Sequence, residues 1–161
     1  MERTAAELSG ARQQAKRLTH RVEITKRVEF SAAHRLWNPS FSEARNWEVF
    51  GICNNPNGHG HNYVLDVTVE GEPDPETGMI FDLKRFKEIL DEVLIHEVDH
   101  KNLNEDVPFL QGQVPTVENL VIAFWSRIDG HIPHCRLSEL TLYESRTNYA
   151  RYRGPSEDRN G

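Results

Sequence analysis

The sequence predicts an α+β fold in which four strands form an antiparallel sheet and two helices cover one of its faces. Before residue 71 and after residue 137, apolar residues alternate with polar ones, as in strands with one buried face. Between these regions the apolar residues recur every three or four positions, as in amphipathic helices. The predicted order is β-β-α-α-β-β. Because strands and helices are segregated along the chain, an antiparallel sheet is favoured over a parallel one.

The first two strands are predicted over residues 21–34 and 61–71. Their alternating apolar residues are Val22, Ile24, Val28, Phe30, Tyr63, Leu65, Val67 and Val69. Residues 37–60, which connect the two strands, are rich in Asn, Pro, Gly and Ser. We predict a long loop there, and long loops inside compact domains often carry function.

Two helices and two closing strands follow. Asp82 is the predicted N-cap of the first helix and Thr116, after Pro115, that of the second. The apolar stripe of the first helix contains Leu83, Phe86, Ile89, Leu90, Val93 and Leu94, and that of the second contains Val117, Leu120, Val121, Phe124 and Ile128. The closing strands are predicted over residues 137–145 and 149–153, around the turn residues Arg146, Thr147 and Asn148.

The chain of 161 residues is long enough for one domain with its own core, predicted over residues 21–154. A charged N-terminal tail (1–20) and a short C-terminal tail (155–161) are predicted to flank it. The net charge of −6, without a long basic run, argues against nucleic acid as a partner. No apolar stretch could cross a membrane or serve as a secretory signal. With two cysteines and no disulfide framework, we expect a cytoplasmic protein.

Three histidines in two short motifs form the most informative pattern. His34 ends the first predicted strand in FSAAHRL, and His59 and His61 open the second in CNNPNGHGHNY. Because His59 and His61 are two residues apart, an extended backbone directs both imidazoles to one face. Antiparallel pairing of the strands brings His34 beside them. Three imidazoles and one open position are typical of catalytic zinc sites, so we predict Zn²⁺ here; the alternative is three unrelated surface or core histidines.

Cys53 lies in the same loop, with five residues between it and His59. Structural cysteines are more often buried inside a strand or helix, so this position favours a reactive thiol. A nearby zinc ion or imidazolium would lower the thiol pKa and provide a thiolate as general base. The thiol could instead be a fourth zinc ligand, and the spacing leaves both interpretations open. Cys135 has no comparable context.

Asp99 and His100 follow the first predicted helix directly. A carboxylate beside an imidazole can set the protonation state of a third group, such as the Cys53 thiol. The alternative interpretation is a helix-end contact, because a histidine cation is favourable at a helix C-terminus.

The same segment contains a second candidate metal motif. His96, Glu97 and His100 match the HExxH pattern of zinc proteases. The pattern is short enough to arise by chance, the residues that follow offer no usual third ligand, and it lies where the predicted helix ends. A zinc protease is therefore a remote alternative.

Glu144 shares strand parity with Leu140 and Leu142, so it is predicted to point to the face that these leucines bury. A carboxylate there needs compensating partners. It could bind the amino group and adjacent ring N–H of a pterin or guanine. It could equally pair with Arg146 or Arg151, and the pattern leaves both possibilities open.

Taken together, five segments resemble the 6-pyruvoyl-tetrahydropterin synthase family. They are FSAAHRL, CNNPNGHGHNY, DPETGMIFDL, LNEDVP and LYES, in the family's order, and the resemblance covers about residues 22–154. The CNNPNGHGHNY segment is the most specific of them. The resemblance implies the tunnelling fold (T-fold) and assembly as a homohexamer, a dimer of trimers with active sites between subunits.

The resemblance also implies a reaction and a set of site residues. A zinc-dependent carbon–oxygen lyase of this family converts 7,8-dihydroneopterin triphosphate, a small pterin triphosphate, to 6-pyruvoyl-tetrahydropterin, an intermediate in tetrahydrobiopterin biosynthesis. The implied zinc ligands are His34, His59 and His61, the implied catalytic relay is Cys53, Asp99 and His100, and the implied substrate-binding residues are Glu144, Thr116 and Glu118. Arg35 and Lys101 are basic residues that adjoin these positions.

Two other interpretations stay open. The 6-carboxy-tetrahydropterin synthase branch, which serves queuosine biosynthesis, uses the same substrate, zinc and relay but releases acetaldehyde. That branch typically has fewer residues between its Cys and its HGH motif, so the gap here favours the pyruvoyl branch. A pterin-binding protein without catalysis is the other possibility, and Cys53 is the residue that distinguishes it from an enzyme.

Overall fold

The computed structural model describes residues 19–156. Thr19 and His20 of the predicted N-terminal tail are exposed and have no regular structure. The rest of that tail lies outside the described residues. So does the predicted C-terminal tail beyond residue 156.

The fold is α+β, as the sequence predicts, and all four predicted strands and both predicted helices are present. The first half contains strand β1 (Val22–His34), helix α1 (Glu43–Phe50), a 3₁₀ turn (Gly51–Asn54) and strand β2 (His59–Gly71). Helix α2 (Leu83–Leu90) continues through a π-helical turn (Asp91–Ile95) into helix α3 (His96–Val98). Strand β3 (Lys101–Asn102), a 3₁₀ turn (Pro108–Leu110), helix α4 (Val117–Ile128), strand β4 (Arg136–Tyr143) and strand β5 (Tyr149–Tyr152) complete the chain.

The sheet has five strands in the order β3-β1-β2-β4-β5. β1 and β2 pair antiparallel over their whole length, from Val22 opposite Gly71 to His34 opposite His59. β4 and β5 extend the antiparallel pairing. The sheet is mixed rather than purely antiparallel, because the short strand β3 runs parallel to β1 beside Ala32 and Ala33. A two-residue strand has no periodicity that a sequence pattern could reveal.

Helices α2 and α4 pack on the sheet face that carries the alternating apolar residues. Phe86, Leu90 and Phe124 are fully buried there, against Tyr63 and Leu65 of β2. Both predicted caps are confirmed, since the Asp82 and Thr116 side chains each accept a backbone N–H in the first turn of their helix. Leu83 was wrongly assigned to the buried stripe. It is 47% exposed because it lies in the first turn, before α2 reaches the core.

The prediction of an irregular loop over residues 37–60 was wrong in its centre. Helix α1 forms there, capped by the Ser42 side chain, which accepts a hydrogen bond from the Arg45 backbone N–H. α1 buries only Asn46, whose side chain binds backbone groups of Asn38, Phe41 and Ser42. Because α1 is held by polar contacts instead of an apolar stripe, the helical signal in its sequence is weak.

Among residues 19–156, no helix combines the length and the apolar character that a membrane span requires.

Candidate active site

The three histidines converge on the helix-covered face of the sheet, where β1 ends and β2 begins. His34 lies opposite His59 in the β1–β2 register, and His61, two residues along β2, lies opposite Ala32. The Nε2 atoms of His34 and His59 are 3.1 Å apart. One ligand atom from each of the three imidazoles lies within 4.8 Å of the others, the only such group of His, Cys, Asp and Glu side chains found in residues 19–156.

The protein holds His34 in one tautomer. Its Nδ1 lies 2.8 Å from the backbone oxygen of Pro115, which can only accept, so Nδ1 carries the proton and Nε2 presents a lone pair to the cluster. The ring is buried, with the Tyr63 hydroxyl 3.3 Å from Nδ1. Burial, with smaller contributions from the neighbouring imidazoles His59 and His61, lowers the pKa of His34 to about 4. The ring is therefore neutral near pH 7, as a metal ligand must be.

These residues fit a zinc ion. The Nε2 atom of His61 is buried and has no hydrogen-bond partner among the described residues. Burial also lowers the pKa of His61, which favours the neutral ring that a metal ligand requires. Tetrahedral zinc with ordinary Zn–N bonds places ligand nitrogens about 3.4 Å apart. The distance between the His34 and His59 nitrogens is close to that value.

Glu144 reaches the same cluster from the turn after β4. Its Oε1 lies 3.5 Å from Nε2 of His34 and 3.5 Å from Nε2 of His61. The parity argument therefore identified the correct face. The two arginine partners that the sequence allowed are not used, since Arg151 binds Glu139 and Thr141 and no ion pair of Arg146 is present among the described residues. The Glu144 carboxylate stays available to a ligand.

Cys53 lies in the 3₁₀ turn after α1, with its side chain partly buried. Its backbone oxygen accepts a hydrogen bond of 2.9 Å from the Leu36 N–H, which ties the turn to the chain just beyond β1. Within the described part of the chain, the thiol does not belong to the group of converging ligand atoms. This arrangement favours a thiol beside the cluster over a fourth ligand.

Asp99 and His100 form a hydrogen-bonded pair beside β1, at the edge opposite to the one that pairs with β2. Nδ1 of His100 lies 3.0 Å from Oδ2 of Asp99, whose Oδ1 accepts the Ser31 backbone N–H. These donors, led by the Ser31 N–H, lower the pKa of Asp99 below its usual value. His100 has a left-handed backbone, with φ of 58°, and its side chain is 81% exposed. A pair fixed on one side and open on the other can exchange protons with an incoming group.

Two open cavities flank the end of β1. One, of about 360 Å³, is lined by His34 and Arg35 together with Asn57 and Asn104. The other, of about 500 Å³, crosses β1, and both His61 and His100 line it. One candidate metal ligand, His61, and the His100 imidazole therefore border a common groove. Within residues 19–156, no hydrogen bond joins the Cys53 thiol to His100.

Thr116 and Glu118 occupy the first turn of α4. The Thr116 hydroxyl accepts the Asn119 backbone N–H at 3.3 Å, so this residue has a structural role as the N-cap. Glu118 is exposed in the same turn. The residue before them, Pro115, is in direct contact with His34. The start of α4 is thus adjacent to the histidine cluster.

The structure does not support the HExxH alternative. Helix α3 ends at Val98, and Asp99 is extended with ψ of 130°, so His96 and His100 do not lie one turn apart on a helix. Glu97, the residue that would activate water, pairs with Arg127. His96 is exposed.

Two contributors to the site were missed by the sequence analysis. Tyr63 contacts His34, and burial, together with the negative charge of Glu144, raises its pKa. It lies two residues after His61, so strand parity could have placed it on the same face. The Pro115 backbone oxygen fixes the His34 tautomer, but a carbonyl oxygen leaves no trace in a sequence.

Comparison with known proteins identifies the family. A sequence model described as 6-pyruvoyl tetrahydropterin synthase matches residues 23–155. The chain belongs to this family. It is 41% identical over 133 residues to the 6-pyruvoyl tetrahydrobiopterin synthase of Homo sapiens, an alignment that covers 83% of this chain and 92% of the human protein. The resemblance deduced from the motifs is thereby confirmed.

Members of the 6-pyruvoyl tetrahydropterin synthase family also match in structure. The 6-pyruvoyl tetrahydropterin synthase of Caenorhabditis elegans superposes with a TM-score of 0.80 at 39% identity, covering 85% of this chain and 98% of that one. This match confirms the tunnelling fold. A 6-carboxy-5,6,7,8-tetrahydropterin synthase of Aquifex aeolicus is more distant, at 28% identity over 158 aligned residues, 81% of this chain and 97% of that one.

Proposed function

We propose that this chain is a zinc-dependent lyase that converts 7,8-dihydroneopterin triphosphate to 6-pyruvoyl-tetrahydropterin with elimination of triphosphate. The observation that carries the proposal is the convergence of three imidazoles beside the Glu144 carboxylate, in a member of this family. His34, His59 and His61 are the proposed zinc ligands. When bound, zinc supplies a Lewis acid that acidifies C–H bonds next to the oxygens of the substrate side chain.

In the proposed reaction, Glu144 binds the substrate, and Cys53, Asp99 and His100 move protons. The Glu144 carboxylate accepts hydrogen bonds from the pterin amino group and ring N–H, which orients the substrate side chain toward the cluster. The Cys53 thiolate removes a proton from that side chain. The Asp99–His100 pair receives and returns protons, and its open imidazole suits this exchange. Loss of triphosphate and tautomerisation then give the product.

Of the two possible products, 6-pyruvoyl-tetrahydropterin is the better supported. The sequence is 41% identical to the human protein named for that branch and 28% identical to the Aquifex protein named for the carboxy branch. The five residues between Cys53 and His59 agree with this ranking.

The deciding experiment is mass analysis of the pterin formed from 7,8-dihydroneopterin triphosphate by the zinc-loaded protein. The proposal predicts 6-pyruvoyl-tetrahydropterin and stoichiometric triphosphate without acetaldehyde. Release of acetaldehyde with a carboxylated pterin assigns the other branch. Binding of the substrate without triphosphate release, identically in the wild type and in Cys53→Ala, identifies a binding protein.

We also propose that the active form is a homohexamer, a dimer of trimers, in which a neighbouring subunit completes each site. Two observations support this. In the described chain β5 pairs only with β4, and β1 pairs on its outer side only at Ala32 and Ala33, so both edges can accept another strand. The exposed His100 ring is also open to a neighbour. Both cysteines are free, in keeping with a proposed location in the reducing cytoplasm.

A further inference from the structure

We propose that Arg35 is a positioning residue that fixes the Cys53 thiol relative to the histidine cluster, a role that rests on the proposed function. Arg35 directly follows His34 at the end of β1. Its guanidinium donates from Nε to the backbone oxygen of Asn54 at 2.8 Å and from Nη2 to the Asn54 side-chain oxygen at 3.0 Å. Asn54 is the residue after Cys53, so one side chain connects a candidate zinc ligand to the segment that carries the candidate base.

A backbone contact reinforces this connection. The Leu36 N–H donates to the backbone oxygen of Cys53 at 2.9 Å. Two consecutive residues after β1, Arg35 and Leu36, thus hold two consecutive residues of the 3₁₀ turn, Cys53 and Asn54. Short 3₁₀ turns have poor internal hydrogen-bond geometry, so these external bonds determine where the turn lies.

Arg35 is itself held firmly, as a positioning group must be. The Asn104 side chain pairs with both backbone groups of Arg35, accepting its N–H at 2.7 Å and donating to its oxygen at 2.9 Å. The guanidinium also lies over the Trp37 ring, 5.5 Å from the centroid. A planar guanidinium presents two parallel donors, whereas a lysine ammonium cannot reproduce that fork.

The histidine cluster does not depend on these bonds. His34 is fixed by the β1–β2 pairing and by Pro115, and neither involves the Arg35 side chain. Loss of the guanidinium should therefore displace the Cys53 segment while leaving the zinc ligands in place. A displacement of about 1 Å at a reacting group can cost on the order of 100-fold in rate.

The test compares zinc-loaded Arg35→Lys and Arg35→Ala with the wild type and with Arg45→Met, which removes an arginine of α1 that pairs only with Glu48 among the described acidic residues. We expect kcat to fall by about 100-fold in both Arg35 variants, with KM and zinc content close to wild type. Arg45→Met should keep the wild-type kcat. Lysine should not restore kcat, because the two parallel donors of the guanidinium are required and not only its charge.

A second measurement requires no turnover, so it separates failure of this inference from failure of the proposed function. In a Cys135→Ala background, Cys53 is the only thiol. Its alkylation by iodoacetamide should be faster in Arg35→Lys than with Arg35 intact, because the charge is kept while the turn is released. The inference is overturned by an unchanged alkylation rate, by an unchanged kcat, by a rise in KM alone, or by loss of zinc from the Arg35 variants.

A variant at Asn104 tests the same connection through the residue that holds the Arg35 backbone. Asn104→Ala removes both bonds to the Arg35 backbone and should lower kcat in the same direction. If the two residues act through one connection, the double variant Arg35→Ala/Asn104→Ala should be little worse than Arg35→Ala. Independent, multiplicative losses of kcat would contradict a shared role.

Discussion

Oε1 of Glu144 lies 3.5 Å from Nε2 of His61. A residue of the turn after β4 is thereby placed against the third residue of strand β2, although 83 positions separate them in the sequence. The distance is too long for a strong hydrogen bond, so the carboxylate lies near the imidazole and can still accept hydrogen bonds from a ligand. We infer that the group that binds the pterin and the groups that bind zinc share one site.

Glu144→Gln should weaken pterin binding while zinc content stays at the wild-type level. The amide offers one acceptor and a donor where the carboxylate offers two charged acceptors, a loss of about 2 kcal/mol. This corresponds to roughly 30-fold weaker binding in calorimetry of a pterin ligand. The matched control is Glu139→Gln, which changes a carboxylate of β4 that pairs with Arg151 and Arg153. Loss of zinc from Glu144→Gln would instead make Glu144 a metal ligand.

Mixing two inactive variants tests whether neighbouring subunits complete each site. If Cys53 of one subunit works with Asp99 and His100 of another, some sites in a mixed assembly of Cys53→Ala and His100→Ala chains are intact. About one quarter of the sites should regain activity when equal amounts are unfolded and refolded together. Each variant refolded alone serves as the control. A mixed sample as inactive as its components would place the relay within one chain.

Thr116→Ala should lower the free energy of unfolding by about 1 kcal/mol, because the first turn of α4 loses its N-cap. Thr116→Ser keeps the hydroxyl and should be nearly as stable as the wild type. Denaturant unfolding of the metal-free proteins measures both. Equal destabilisation by serine and alanine would show that the hydroxyl does not act as the cap.

The metal-free protein should lose stability as the pH falls from about 6.5 to about 4. Burial lowers the pKa of His34, so in this window the unfolded chain binds a proton that the folded chain excludes. The contribution of His34 to the unfolding free energy is fully present above its ordinary pKa. It is lost as the pH falls toward the pKa of the folded state, and the total loss is roughly 3 kcal/mol. His34→Asn, which can still donate to Pro115, should show a shallower pH dependence of the unfolding free energy. Identical pH dependences would contradict a neutral, buried His34.

The features that could be predicted from the sequence are those with a period or a cap. Tyr63 and Leu65 alternate, Phe86 and Leu90 recur at helical spacing, and Asp82 and Thr116 have the side chains that cap helices. The convergence of the histidines followed from the strand period and from the pairing of the first two strands. The periods and caps are local signals, and the pairing was predicted from the order of the first two strands along the chain.

The missed features leave no periodic pattern in the sequence, and two of them join distant parts of the chain. Helix α1 is stabilised by polar contacts of Asn46 and a Ser42 cap inside a segment of loop-like composition. The Pro115 oxygen on His34 and the Asn104 pairing with Arg35 join residues separated by 81 and 69 positions. Such pairings appear only when the strands and the segments after them are assembled in space.

The most direct test of a zinc site built by β1 and β2 is metal analysis of three purified proteins: the wild type, His61→Ala and His96→Ala. We predict one zinc ion per chain in the wild type and in His96→Ala, and almost none in His61→Ala, because the variant loses one of three imidazole ligands. Zinc retained by His61→Ala and lost from His96→Ala would contradict this account and place the metal at the HExxH segment.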